Sequence, residues 1–96
     1  MNRLIFSVRQ INDYVRSLMQ RDPVLNEVWI RGEISNLKVH SSGHMYFTLK
    51  DEQARINCVM FRRDRELLDF LPSDGMQIVI KSQVSIYCRG GQYQLY

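Results

Sequence analysis

Long hydrophobic runs are missing from this sequence, and so is any cysteine framework. No stretch approaches the ~18 apolar residues of a membrane span, and no signal peptide is visible. A soluble chain with no membrane partner is therefore expected. The two cysteines, Cys58 and Cys88, make no disulfide framework, and with His40 and His44 their spacing fits no zinc arrangement. No metal or other cofactor is expected, and reduced thiols point to a cytoplasmic setting. Cys58 lies in an apolar strand pattern and reads as a small core residue; Cys88 precedes a turn and is expected to be partly exposed. No Ser-His-Asp arrangement, HExxH run or phosphate-binding glycine loop is present. The carboxylates are scattered, with no pair placed for two-metal hydrolysis. The domain reads as non-catalytic.

What is present is a globular composition. The chain has 96 residues, 45% hydrophobic and 24% charged, with a net charge of +3. That length makes one domain and buries roughly 60–70% of the unfolded surface, enough for one core. The basic balance leans weakly toward a polyanionic partner.

The periodicity changes along the chain. Ser7 with Gln10 is a capping box that opens a helix over 7–21, and Val8, Ile11, Tyr14, Val15, Leu18 and Met19 form its apolar stripe. Arg9, Arg16 and Arg21 lie off that stripe and read as a solvated face. Asp22-Pro23 ends the helix, because the residue before a proline disfavours helical geometry.

From Val28 the period is two, with Ile30, Gly32 and Ile34 on one side and Trp29, Arg31 and Glu33 on the other. Gly32 suggests a bend or bulge, and Trp29 is expected to pack beneath the helix. After a Ser41-Ser42-Gly43 turn, a second strand over 45–50 turns Phe47 and Leu49 inward and Tyr46, Thr48 and Lys50 outward. A third strand follows over 55–61, a helix over 62–70, and a long fourth strand over 76–87. Arg89-Gly90-Gly91 makes a tight hairpin into a fifth strand that begins at Gln92.

This order, with three successive strands as a meander, predicts a mainly β fold. It matches a five-stranded oligonucleotide/oligosaccharide-binding (OB) barrel with an added N-terminal helix and a helix between strands three and four. The whole of 1–96 forms a single domain, with the barrel over about 27–96. The short last strand suggests a fragment of a longer chain whose barrel edge pairs with a neighbour or swaps a strand.

In such a barrel the outer face of strands two and three, with the strand 1–2 and 4–5 loops, is the usual oligonucleotide groove. That face carries Tyr46, Lys50, Arg55 and Phe61, the loops carry Lys38, His40, His44 and Arg89, and Arg31 stands on strand one. Cations beside exposed aromatics suit single-stranded nucleic acid, with charge for phosphates and flat rings for bases. These nine residues are the candidate binding set. Two alternatives stay open. Tyr46 and Phe61 pack under the helix or another domain in one, and Lys50 and Arg55 are merely solvated in the other. The whole barrel then serves as a structural or docking domain.

The stretches VWIRGEISNLKVHSSGHMYFTLKDEQARINCVMFR and DGMQIVIKSQVSIYCRGGQYQLY, with the upstream FSVRQINDYVRSLMQRDP, resemble the N-terminal OB domain of the bacterial exodeoxyribonuclease VII large subunit. The resemblance implies a domain that grips single-stranded DNA for a nuclease region downstream. It also implies that no divalent metal is required. The small subunit of that enzyme is expected to bind later parts of the large chain and not this one. Within the resembling stretches, Lys38, His40, His44, Tyr46, Lys50, Arg55 and Arg89 are the residues carried over as binding candidates.

Overall fold

The computed structural model describes residues 3–87 and 89–96, so the expectation for Cys88 lies outside the described residues. Helix α1 runs Val8–Arg21 and opens on the expected capping box: the Gln10 N–H donates to Ser7 Oγ at 3.1 Å and the Ser7 N–H to Gln10 Oε1 at 2.8 Å. It stops at Asp22, whose carboxylate caps a further single turn, α2 (Pro23–Asn26), by accepting from the Val24 and Leu25 N–H groups. Pro23 sits at the start of that turn, where its missing N–H is not needed.

The strands are β1 (Val28–Val39), β2 (Met45–Lys50), β3 (Arg55–Met60), β4 (Gln77–Ser82), β5 (Val84–Tyr87) and β6 (Gln92–Leu95), with a single helical turn α3 (Arg62–Arg65) between β3 and β4. They form one sheet in the order β4-β1-β2-β3-β6-β5. All neighbours are antiparallel except β3 and β6. The two outermost strands, β4 and β5, are halves of the expected long fourth strand, broken only at Gln83. Ser82 pairs with Val28 on one side, and Gln83 exchanges backbone hydrogen bonds with Tyr96 on the other. The sheet therefore curls until its ends meet at one residue, which is a partly open barrel.

The inward parity read from the sequence holds. Ile34, Met45, Phe47, Leu49, Cys58 and Leu95 form the buried core, with Ile30, Ile56, Ile78, Ile80 and Val84 packed against it. Several expectations are corrected. Gly32 is not a bulge; a Cβ there would stand 2.7 Å from Leu49 Cγ, so glycine serves a close approach in the core. The bulge lies four residues on, where Asn36 takes φ 53° and the pairing shifts from Ser35↔Thr48 to Lys38↔Tyr46. The Leu37 N–H freed by this insertion donates to the Asp74 carboxylate at 2.9 Å.

Trp29 does not lie beneath the helix: it faces outward and is 66% exposed, opposite Lys81. The helix expected over 62–70 keeps one turn only. The last strand is not an edge, since β6 lies between β3 and β5. Helix α1 buries none of its stripe; Ile11, Tyr14 and Leu18 stay exposed while the helix leans on β5 and α2. Its projection accounts for a radius of gyration of 15.5 Å, against about 12.5 Å expected for a compact chain of this length.

Two consequences are measurable. A β-branched residue is strained in left-handed geometry, so Asn36→Val is expected to lower stability by about 1–2 kcal/mol. Asn36→Gly, which adopts that geometry freely, should cost little, and equal urea midpoints for the two variants would contradict the bulge. Burial pushes the Cys58 thiol up to about 12 from 9.0, only partly offset by a backbone hydrogen bond from Leu49. Above pH 9.0 the unfolded thiol releases its proton while the folded one keeps it, so the unfolded state gains. The stability present below pH 9.0 is therefore lost as pH rises toward about 12. Cys58→Ala should lose less stability over that window than the parent chain; parallel pH profiles of the melting temperature would refute this.

Candidate nucleic-acid interface

The outward residues of β2, β3 and β6 line a groove of about 570 Å³. Its rings are Tyr46, Phe61, Tyr87 and Tyr96, with the core residues Phe47 and Cys58 also bordering it; Thr48, Asn57 and Gln94 are its polar floor, and Asn36 and Lys38 line it from β1. Strand parity explains most of this. Once Phe47, Leu49 and Cys58 face the core, Tyr46, Thr48 and Asn57 must face out. The bulge at Asn36 then sets Lys38 directly across from Tyr46.

The aromatic side chains support one another. Phe61 stacks on Tyr96 with centroids 6.1 Å apart and planes at 19°, and His44 meets Phe61 edge-on at 5.4 Å. His40 meets Tyr46 edge-on at 6.4 Å. Both histidines also brace the β1–β2 loop. His44 Nδ1 accepts the Arg62 N–H at 2.9 Å, which leaves its ring proton on Nε2. His40 Nδ1 accepts the Ser42 N–H at 3.2 Å, and Arg65 Nη1 donates to the Gly43 carbonyl at 2.9 Å. Gly43 has φ 91° and packs so close to Arg62 that a Cβ would stand 2.5 Å from Arg62 Cδ. The loop is thus pinned to α3 and held beside the groove.

The candidate set divides by place. Lys38, Tyr46 and Phe61 line the groove itself. Arg55 lines an adjoining depression of about 490 Å³ with Tyr93, reached across Thr48 and Asn57. Arg89 lines another, of about 660 Å³, that shares Phe61, Tyr87 and Tyr96 with the groove. Arg31 and Lys50 stand apart, on a ledge with Glu33, Asp51 and Glu52. Lys50 Nζ is 3.4 Å from the Glu33 carboxylate that faces it across the β1–β2 ladder. Asp51 accepts the Gln53 and Ala54 N–H groups of the hairpin, and these bonds hold its carboxyl below the ordinary range. The ledge is therefore electrically mixed, whereas the groove lining holds a lysine and no Asp or Glu side chain. Tyr96 and Gln94 were not among the residues expected from the sequence; with Leu95 inward, their parity alone marks them as outward.

Among the described residues no three His, Cys, Asp or Glu side chains converge to hold a metal ion. Among the same residues no helix is long and apolar enough to cross a membrane. The groove lining offers stacking faces, amide and hydroxyl hydrogen-bonding groups and the Lys38 cation.

Comparison with known proteins agrees with this chemistry. The chain is 54% identical over 90 residues to the exodeoxyribonuclease 7 large subunit of Alkaliphilus metalliredigens, covering 94% of this chain and 22% of that protein. It is 52% identical to the protein of the same name from Clostridium tetani, covering 96% and 23%. With the one from Ruminiclostridium cellulolyticum it shares 49% identity over all 96 residues, 24% of that relative. The chain thus spans under a quarter of the length of these relatives. The family model described as "OB-fold nucleic acid binding domain" matches residues 6–96. With that match over nearly its whole length, the chain belongs to the OB-fold nucleic acid binding domains.

Proposed function

We propose that this domain holds single-stranded DNA for the nuclease of an exodeoxyribonuclease VII large subunit. The observation that carries the reading is the aromatic groove: Tyr46, Phe61, Tyr87 and Tyr96 line one trough whose cation is Lys38 and whose floor is uncharged. Rings in this setting stack on unpaired bases, each stacked base contributing about 1–3 kcal/mol, and tolerate any sequence because every base has a flat face. A duplex keeps its bases stacked on each other and offers such rings nothing. The choice of DNA over RNA rests on the similarity to relatives named as exodeoxyribonuclease subunits. Lys38, Arg55 and Arg89 then supply phosphate contacts. The two histidines hold the loop, with Nε2 of His44 left for hydrogen bonding. Arg31 and Lys50 sit among carboxylates and contribute least.

A second reading rests on α1, whose stripe of Ile11, Tyr14, Val15 and Leu18 is exposed. An apolar stripe on a projecting helix suits docking against another protein surface. In that reading the barrel is a structural module with little DNA affinity of its own.

Titration of the domain with fluorescein-labelled oligo-dT separates the two. With about four to six phosphate contacts, the log–log salt slope is expected to be roughly −3 to −4. Tyr46→Ala should weaken binding by about 1–3 kcal/mol while leaving the melting temperature unchanged, since Tyr46 is on the outer face. No salt-sensitive binding even in low salt would exclude the DNA-holding role for this domain. An equal loss of melting temperature in Tyr46→Ala would make that ring part of the core.

A further inference from the structure

The groove does not end at the barrel. Phe61, Tyr87 and Tyr96 form one of its walls and, from their other side, a wall of the neighbouring depression of about 660 Å³. The opposite wall of that depression comes from helix α1: Arg9, Arg16 and Gln20 line it, with Arg89 from the β5–β6 turn. The helix spacing is what allows this. Arg9, Asp13, Arg16 and Gln20 follow one another at four, three and four residues, so they share a face of α1. Helix α1 packs along β5, and Arg9, Arg16 and Gln20 line the depression between them with Ser85, Ile86 and Tyr87. Asn12 lies beside Gly91 in the hairpin, 3.6 Å from where a Cβ would stand, which sets the helix along β5.

We infer that helix α1 continues the binding track, with Arg9 and Arg16 taking phosphates of a single strand that has crossed the Tyr87–Tyr96 wall. This rests on the reading of the main groove as a single-strand site and extends it to a part of the chain outside the barrel. The charge distribution favours it. The lining of this depression carries three arginines and no Asp or Glu side chain. The carboxylate on the same helix face is Asp13, whose oxygen lies 3.5 Å from Arg9 Nε. That pair is solvent-exposed, at 77% and 48%, and an exposed pair holds weakly enough for a phosphate to displace it. The aromatic wall between the two depressions gives a base a stacking face at the crossing point. The track thereby alternates rings and cations, as a strand alternates bases and phosphates.

The test compares a short oligo-dT of about 4 nucleotides, which the main groove accommodates, with one of about 12. The parent chain is expected to bind the longer strand more tightly and with a steeper salt slope. In Arg9→Gln/Arg16→Gln the slope for the longer strand should become shallower by about 1.4, some 0.7 for each phosphate that is no longer neutralised. The short strand should bind that variant as it binds the parent chain. Asp13→Asn removes the competing carboxylate and is expected to tighten binding of the longer strand alone. Circular dichroism checks the helix, and if the double variant unfolds α1, the Asp13→Asn result decides. Unchanged affinity and slope for the longer strand in both variants overturn the extension while leaving the groove intact. Equal weakening of both strands also overturns it. If the parent chain binds neither strand, the DNA-holding reading itself falls, and the extension with it.

Discussion

Between Ser35 and Lys38, strand β1 takes three residues where β2 takes two, and Asn36 absorbs the surplus in left-handed geometry. A one-residue insertion reverses the side from which every later residue in the strand projects. Ile34 faces the core before it, and Leu37 faces the core after it, so Lys38 emerges on the outer face. Were β1 to alternate regularly through Asn36, Lys38 would point into the barrel and Leu37 into the groove. Asp74 keeps the arrangement by accepting the Leu37 N–H, and the Ile34 carbonyl accepts from Gly75 at 2.8 Å. A residue far along the chain, in the turn before β4, thus fixes which face of β1 borders the groove.

Downstream of that point, rigidity is delivered by small polar contacts. The β1–β2 loop is a run of serines and a glycine between histidines, which alone would be mobile. Here it is tied to α3 from two sides, through His44 to the Arg62 N–H and through Arg65 to the Gly43 carbonyl. The single turn of α3 therefore acts as an anchor for the loop. Its arginines carry the donors, and its start places Phe61 where it can stack on Tyr96. Fixing the rings before a ligand arrives lowers the ordering cost of binding.

The parts of this arrangement that were legible in the sequence are those governed by period and burial. Alternation over 45–50 and 55–60 identified the core and outer faces because one side of each strand is buried. Helix α1 was legible because its cap is local. What escaped depended on distant partners. Asn36 looks like any strand residue until Asp74 is beside it. Gly32 drew attention as a conformational exception, yet its reason is the side chain of Leu49. Trp29 suggested packing beneath the helix because it follows it closely in the chain, but its register opposite Lys81 puts it outside. The stretch after Arg65 has good helix formers; Leu67 and Leu71 find no surface to bury against, and propensity without packing does not sustain a short helix.

Charge alone would be a poor guide to this surface. A net +3 is modest, and near a protein surface exposed charges more than a Debye length of about 8 Å apart act almost independently. What matters is how the cations are sorted. Arg31 and Lys50 share their ledge with Glu33, Asp51 and Glu52, so carboxylates outnumber cations there. Lys38, Arg9, Arg16 and Arg89 line the two depressions joined at Phe61, Tyr87 and Tyr96, and no Asp or Glu side chain lines either. The same few cations spread evenly would leave no direction in the potential. Grouped along an aromatic trough, as the proposed function requires, they would give a polyanion one path across the domain.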